Sequence, residues 1–250
     1  MNSEALIGLL VVLFAIAATL LYSRKRIQSR RGYVPRQLAE ITRLKRALGM
    51  AVEDGSRIHI ALGNGGLTTP TGAATLSALD SLEALGMVNA TSDHPPLSTS
   101  GDGAAALLSK DVLHHVSYET STRDLYDPDD GTLTGISPFS YAVGTLDMMR
   151  DAEMQTHLFI GNFGMEAGLL ADRAEETGNY SLAASDSLTA QSVFYASSRD
   201  VLIGEELFAL PAYLANRPAY LVSLQVQDLL RVMICLTLLT GAVLKLLGLL

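Results

Sequence analysis

The sequence predicts an α/β protein in which duplicated, Rossmann-like β-loop-α-β units form a mostly parallel sheet, flanked by N- and C-terminal transmembrane helices. Three observations predict it. Short β-like apolar runs alternate with helical stretches over residues 57–198, as in βαβ units. The pattern H-x-x-Φ-G-N-x-G, with Φ apolar, occurs twice, starting at His59 and at His157. Long apolar runs lie at both ends of the chain.

The first run, residues 5–22, carries no charge. As a helix it is about 27 Å long, just enough to span a bilayer, so residues 1–22 are expected to form transmembrane helix 1. Arg24, Lys25, Arg26, Arg30 and Arg31 follow the run, whereas a cleaved signal peptide carries its basic residues before it. The positive-inside rule then places the N-terminus outside and the chain after Tyr22 in the cytoplasm. Residues 23–56 read as a basic juxtamembrane segment. Within it Leu38, Ile41, Leu44, Leu48 and Val52 recur at helical spacing, an amphipathic helix lying on the membrane or on the body of the protein.

Residues 57–228 are expected to form the cytoplasmic α/β domain. A strand over 57–62 meets Gly63-Asn64-Gly65-Gly66, and a helix over 71–85 is capped by Gly86. A second strand over 87–90 and a helix over 103–116 come next. A helix over 138–153, a strand over 156–160 and the turn Gly161-Asn162-Phe163-Gly164 follow. The remaining elements are a helix over 165–177 capped by Gly178, a strand over 180–184 and a helix over 188–198. The internal repeat pairs 57–93 with 155–186. Both copies then run into a predicted strand ending A-x-S-D, at residues 90–93 and 183–186.

The second apolar run, residues 232–250, starts after Arg231, and Lys245 near its far end can snorkel. Residues 229–250 are therefore expected to form transmembrane helix 2. This gives a double-pass protein of the cell membrane with its bulk cytoplasmic and both termini extracytoplasmic. Residues 202–224 carry only Glu205, Glu206 and Arg217 as charges. That stretch is either core or an interface of a homo-oligomer.

The 250 residues are 48% hydrophobic and 18% charged, with a mean hydropathy of +0.26, which excludes disorder. One Cys and no Trp exclude a disulfide framework and a Cys-rich metal site. Nine of the 18 basic residues precede Arg57, whereas 22 of the 26 acidic ones follow Ser56. The basic segment suits an anionic lipid bilayer, and the acidic body disfavours nucleic acid.

The chemistry-bearing candidates lie where strands should end. Gly and Asn tolerate the positive φ of a tight strand-to-helix turn. Ligands of open parallel sheets sit beyond the carboxyl ends of the strands. Gly63, Asn64, Gly65, Gly66, Ser92, Asp93, Gly161, Asn162, Gly164, Ser185 and Asp186 are expected on that edge. There they would either bind a small anionic ligand or simply make turns and helix caps. His59 and His157 occupy equivalent strand positions and join them as candidates. Neither loop has Walker or G-x-G-x-x-G spacing, so no cofactor is named, and no metal site is expected. Asp127-Pro128-Asp129-Asp130-Gly131 reads as a turn rather than a calcium loop. Glu205-Glu206 reads as a helix start or a subunit contact.

The stretches HIALGNGGL, LTGISPFSYAVGTLD, HLFIGNFGMEAGLLAD, AASDSLTAQSVFYA and LIGEELFALPAYL resemble an uncharacterised family of bacterial and archaeal membrane proteins, a domain of unknown function. The resemblance covers most of residues 36–235. It implies a prokaryotic, membrane-anchored protein and brings no activity or catalytic residues with it. The expected function is a ligand-binding or scaffolding module in a homo-oligomeric membrane assembly. The alternative is an enzyme acting on a nucleotide or small anionic metabolite at the paired loops.

Overall fold

The computed structural model describes residues 3–23, 36–89, 92, 94–151, 153–215 and 217–246. The basic cluster from Arg24 to Arg31 lies outside them. The chain forms two compact units, one of residues 1–36 with 216–250 and one of Gln37–Ala215. In chain order the elements are α1 (Ser3–Ser23), α2 (Ala39–Asp54), β1 (Arg57–Gly63), α3 (Gly72–Val88), β2 (Leu97–Ser100) and α4 (Gly103–Glu119). Then come β3 (Gly131–Leu133), α5 (Pro138–Met148), β4 (Met154–Asn162), α6 (Ala167–Glu176) and β5 (Tyr180–Ser185). The last are α7 (Leu188–Ser197), β6 (Asp200–Leu202), α8 (Glu206–Leu214) and α9 (Pro218–Leu246).

The Gln37–Ala215 unit is built on a six-stranded, all-parallel sheet in the order β3-β2-β1-β4-β5-β6. Parallel strands covered on both faces need apolar side chains on both, and the core divides accordingly. Ile58, Ile60, Leu62, Leu158, Ile160 and Leu182 pack against α2, α3 and α8. Ala61, Phe159 and Ala183, one residue out of phase, pack against α5, α6 and α7. The amphipathic segment is thus α2, and it belongs to the body, with Ile41, Leu44 and Leu48 buried in the first core. Leu207, Leu210 and Leu214 of α8 are buried there too, so this part of the apolar 202–224 stretch is core.

The strand expected over 87–90 is not formed where described. Helix α3 runs on to Val88 because Gly86 is a packing residue: a Cβ there would lie 2.9 Å from Val116 Cγ1. The second strand is β2 instead. Its Leu-Ser-Thr-Ser sequence lacks an apolar run, yet all four residues are buried. Strands β3 and β6, three residues each, also escaped the sequence reading. Helix α5 stops at Met148, short of Glu153.

The 127–131 segment is a turn, with Asp127 Oδ1 accepting from Asp129 N (2.9 Å). It carries Asp130 to Arg57, whose guanidinium pairs with the buried carboxylate and also donates to Pro95 O. Burial pushes the Asp130 carboxyl up, and the Arg57 hydrogen bond and charge oppose that. Arg57→Ala is expected to destabilise by about 2 kcal/mol, seen as a lower urea midpoint with unchanged slope.

In the other unit α1 packs on α9, with Ala18, Val222 and Val226 buried between them. Helix α9 is long and apolar enough over Ala219–Leu246 to span a membrane. Arg231 lies within it rather than before it, paired with Asp228 (3.1 Å).

Candidate functional site

The strand order reverses between β1 and β4, so the loops that follow these two strands diverge. That crevice is where open α/β sheets bind ligands, and both G-N-x-G segments are there. Gly63 has φ +76° and Gly161 has φ +142°. A Cβ on Gly63 would lie 2.1 Å from Asn162 O, and one on Gly161 would lie 2.2 Å from Leu62 O. The two strand ends therefore approach as closely as only glycine permits. Asn64 N donates to Asn162 O (2.9 Å), and Gly101 N donates to Gly63 O (2.9 Å).

The side chains close the site further. Glu166, 2% exposed, accepts from Gly164 N (2.7 Å) and from Asn64 Nδ2 (3.1 Å). Asn162 Nδ2 donates to Asp186 Oδ1 (2.7 Å). Thr75 Oγ1 donates to Gly65 O (2.8 Å). Gly66 stands in the same loop, where a Cβ would meet Thr69 Cγ2 at 3.2 Å. Asp102 caps α4 by accepting from Ala104 N and Ala105 N. Ser185 is buried, and its Oγ accepts from Ser187 N (3.3 Å). Asp102, Glu166 and Asp186 make this edge acidic, and the loops that carry them contain no Lys or Arg. The field opposes an anion.

Ser92 is not on this edge. Helix α3 returns the chain to the amino ends of the strands before β2 begins, so Ser92 lines a crevice there with Gly86, Pro95, Leu113 and Tyr126. Asp93, Ala90 and Thr91 lie outside the described residues. Of the A-x-S-D match in the first copy only Ser92 is described, and it is in no strand.

His59 and His157 lie in mid-strand as register partners of β1 and β4, fully buried on the α5–α7 side of the sheet. They meet each other rather than the crevice, with Nδ1 to Nδ1 at 3.3 Å. The hydrogen bonds assign the protons. Asn179 Nδ2 faces Met154 O (2.8 Å) and His157 Nε2 (3.0 Å), so it donates to both. His157 Nδ1–H then donates to His59 Nδ1, and His59 Nε2–H donates to Thr99 Oγ1 (2.9 Å). A buried polar chain thus runs from Asn179, just before β5, through His157 and His59 to Thr99. The Tyr141 hydroxyl, also buried, accepts from Gly63 N (3.2 Å). Burial holds His59 well below the ordinary imidazole range, and His157 next to it adds to the shift. Burial lowers His157 to about 4, with the Arg173 charge adding. Burial raises Tyr141 to about 12.

Glu166, Gly101, Thr99, Tyr141 and Asn179 were not singled out from the sequence. Gly101 and Thr99 follow from β2, which the sequence reading did not find. Glu166 sits two residues beyond the second G-N-x-G segment, and no pattern marks it. Among the described residues no group of His, Cys, Asp and Glu is arranged to hold a metal.

No curated protein and no solved structure matches the chain. A family model does match, over residues 1–250, described as a domain of unknown function. The chain accordingly belongs to the DUF6754 family.

Proposed function

We propose that this protein is a membrane-anchored scaffolding module that assembles with copies of itself, with a duplicated Rossmann-like body on the cytoplasmic side. The observation that carries this reading is the closed state of the switch-point crevice. Its glycines press against the opposite strand, and its own carboxylates occupy the Asn amides and a loop N–H. Such a site is a rigid junction, and its acidity weighs against an anionic metabolite as ligand. The adjacent, in-register His59 and His157 and the positive φ of both Gly63 and Gly161 support the duplication.

Lipid is the partner of the two end helices. Leu9, Leu10, Val12 and Phe14 of α1 and Leu236, Leu238, Leu239 and Val243 of α9 are exposed, and a bilayer would cover them. The basic residues after Tyr22 set the orientation. In a Cys235→Ser background, a cysteine placed at residue 2 is expected to label from outside intact cells, and one at residue 129 to stay unlabelled. The reverse pattern refutes the topology.

A further inference from the structure

We infer that the surface formed by the N-terminal ends of α5, α6 and α7 is the face through which two copies of the chain pair. The inference rests on the self-assembly proposed above and names its contact. Helix α8 supplies no such face, because Leu207, Leu210 and Leu214 are core. The second helix layer does supply one. Ile136, Phe139 and Val143 project from α5 and the turn before it, Met165 and Leu169 from α6 and the turn before it, and Leu188 from the first position of α7. All six are between 42% and 84% exposed. Helix α6 packs between α5 and α7, and each helix starts at the carboxyl edge of the sheet. The six therefore share one corner of the body.

Charge selects the occupant. No charged residue occurs over 133–146 or over 187–198, although exposed helix surfaces ordinarily mix both signs. Past Ser56 the chain carries 22 of its 26 acidic residues, so two copies meeting through most other faces bring like charges together. The 133–146 and 187–198 stretches meet their own copies without that repulsion. At roughly 100 Å² per apolar side chain the six offer on the order of 600 Å². With the exposed Ser140 and Thr189 beside them, that approaches the ~800 Å² per partner of a standard interface. One patch meeting its own copy gives a twofold, isologous dimer. Phe139 is the large aromatic side chain of the six, the type enriched at interface hot spots.

The test is light scattering on the full-length protein in detergent at micromolar concentration, with the detergent mass subtracted. The wild type is expected at twice the protomer mass. Phe139→Glu with Leu188→Glu is expected at the protomer mass with an unchanged far-UV circular dichroism spectrum, since both positions are exposed. In a Cys235→Ser background, Phe139→Cys is expected to form a covalent dimer under mild oxidation in membranes. A doubled mass that survives the paired Glu substitutions, with no Phe139→Cys cross-link, overturns this interface and leaves self-assembly standing. A wild type at the protomer mass overturns self-assembly itself. A second protein co-purifying with the wild type and lost from the Glu variant assigns the face to that partner and refutes the dimer.

Discussion

Gly63→Ala is expected to destabilise the body by at least about 4 kcal/mol, an exceptional loss for one substitution that has to be tied to named mechanisms. Two coincide here. The residue sits at φ +76°, where an L side chain is strained by about 1–2 kcal/mol. Its new Cβ would also stand 2.1 Å from Asn162 O, a backbone atom held in the β1–β4 pairing, so strands must part and their hydrogen bonds loosen. Gly161→Ala is expected to behave alike, with its Cβ 2.2 Å from Leu62 O. Gly178→Ala is the control, because Gly178 has φ +71° but nothing within 4 Å of a Cβ. It is expected to lose only the strain, about 1–2 kcal/mol. Urea midpoints of the four proteins check this. Equal losses at Gly63 and Gly178 would show that the strand ends do not approach as described.

Lowering the pH from 7 to 5 is expected to remove about 2 kcal/mol of stability through His157, with His59 adding to the loss in the same direction. Both folded values are depressed, and with a folded value of about 4 the His157 ring is neutral in the folded state across this window. The unfolded chain titrates near 6.5. Above that pH neither state is charged and the full stability is present. Below it the unfolded chain binds two protons that the folded one refuses, and stability falls by up to about 1.4 kcal/mol per pH unit for each ring. For His157 the loss continues down to about 4. His59→Gln with His157→Gln is expected to be less stable at pH 7 because the buried chain is broken. Its midpoint should hardly change between pH 7 and pH 5. A wild-type midpoint that is flat over the same interval would mean that the pair is charged or solvated in the folded protein.

The parts of the fold that were legible share one property: their burial is written in apolar side chains. Strands β1, β4 and β5 carry apolar residues on both faces, as a sheet covered on both sides requires. The Gly-Asn turns after β1 and β4 announce positive φ. Strand β2 was hidden because its burial is polar. Ser98 Oγ donates to Asp130 O, Thr99 meets His59, and Ser100 Oγ donates to Asp102 O. Each hydroxyl is acceptable inside because it has a hydrogen-bond partner, and those of Ser98 and Thr99 are 32 and 40 residues away in sequence. Missing β2 displaced Ser92 to the wrong edge and made Gly86 a cap, where it is a gap for Val116.

What the sequence by itself determined is local: the apolar terminal helix, the alternation of strand and helix, the paired turns and the equivalence of His59 with His157. Local periodicity and φ preference dictate these without reference to the rest of the chain. Tertiary structure alone decided which strands are neighbours, since crossovers of similar length permit many strand orders. It made His59 and His157 partners of each other by setting β1 beside β4 in register. It also turned the loop carboxylates Glu166 and Asp186 onto the Asn amides, and put α8 in the core while leaving apolar side chains of α5, α6 and α7 exposed. Those outcomes depend on contacts between residues up to 130 positions apart, whose energies exist only once the sheet has closed.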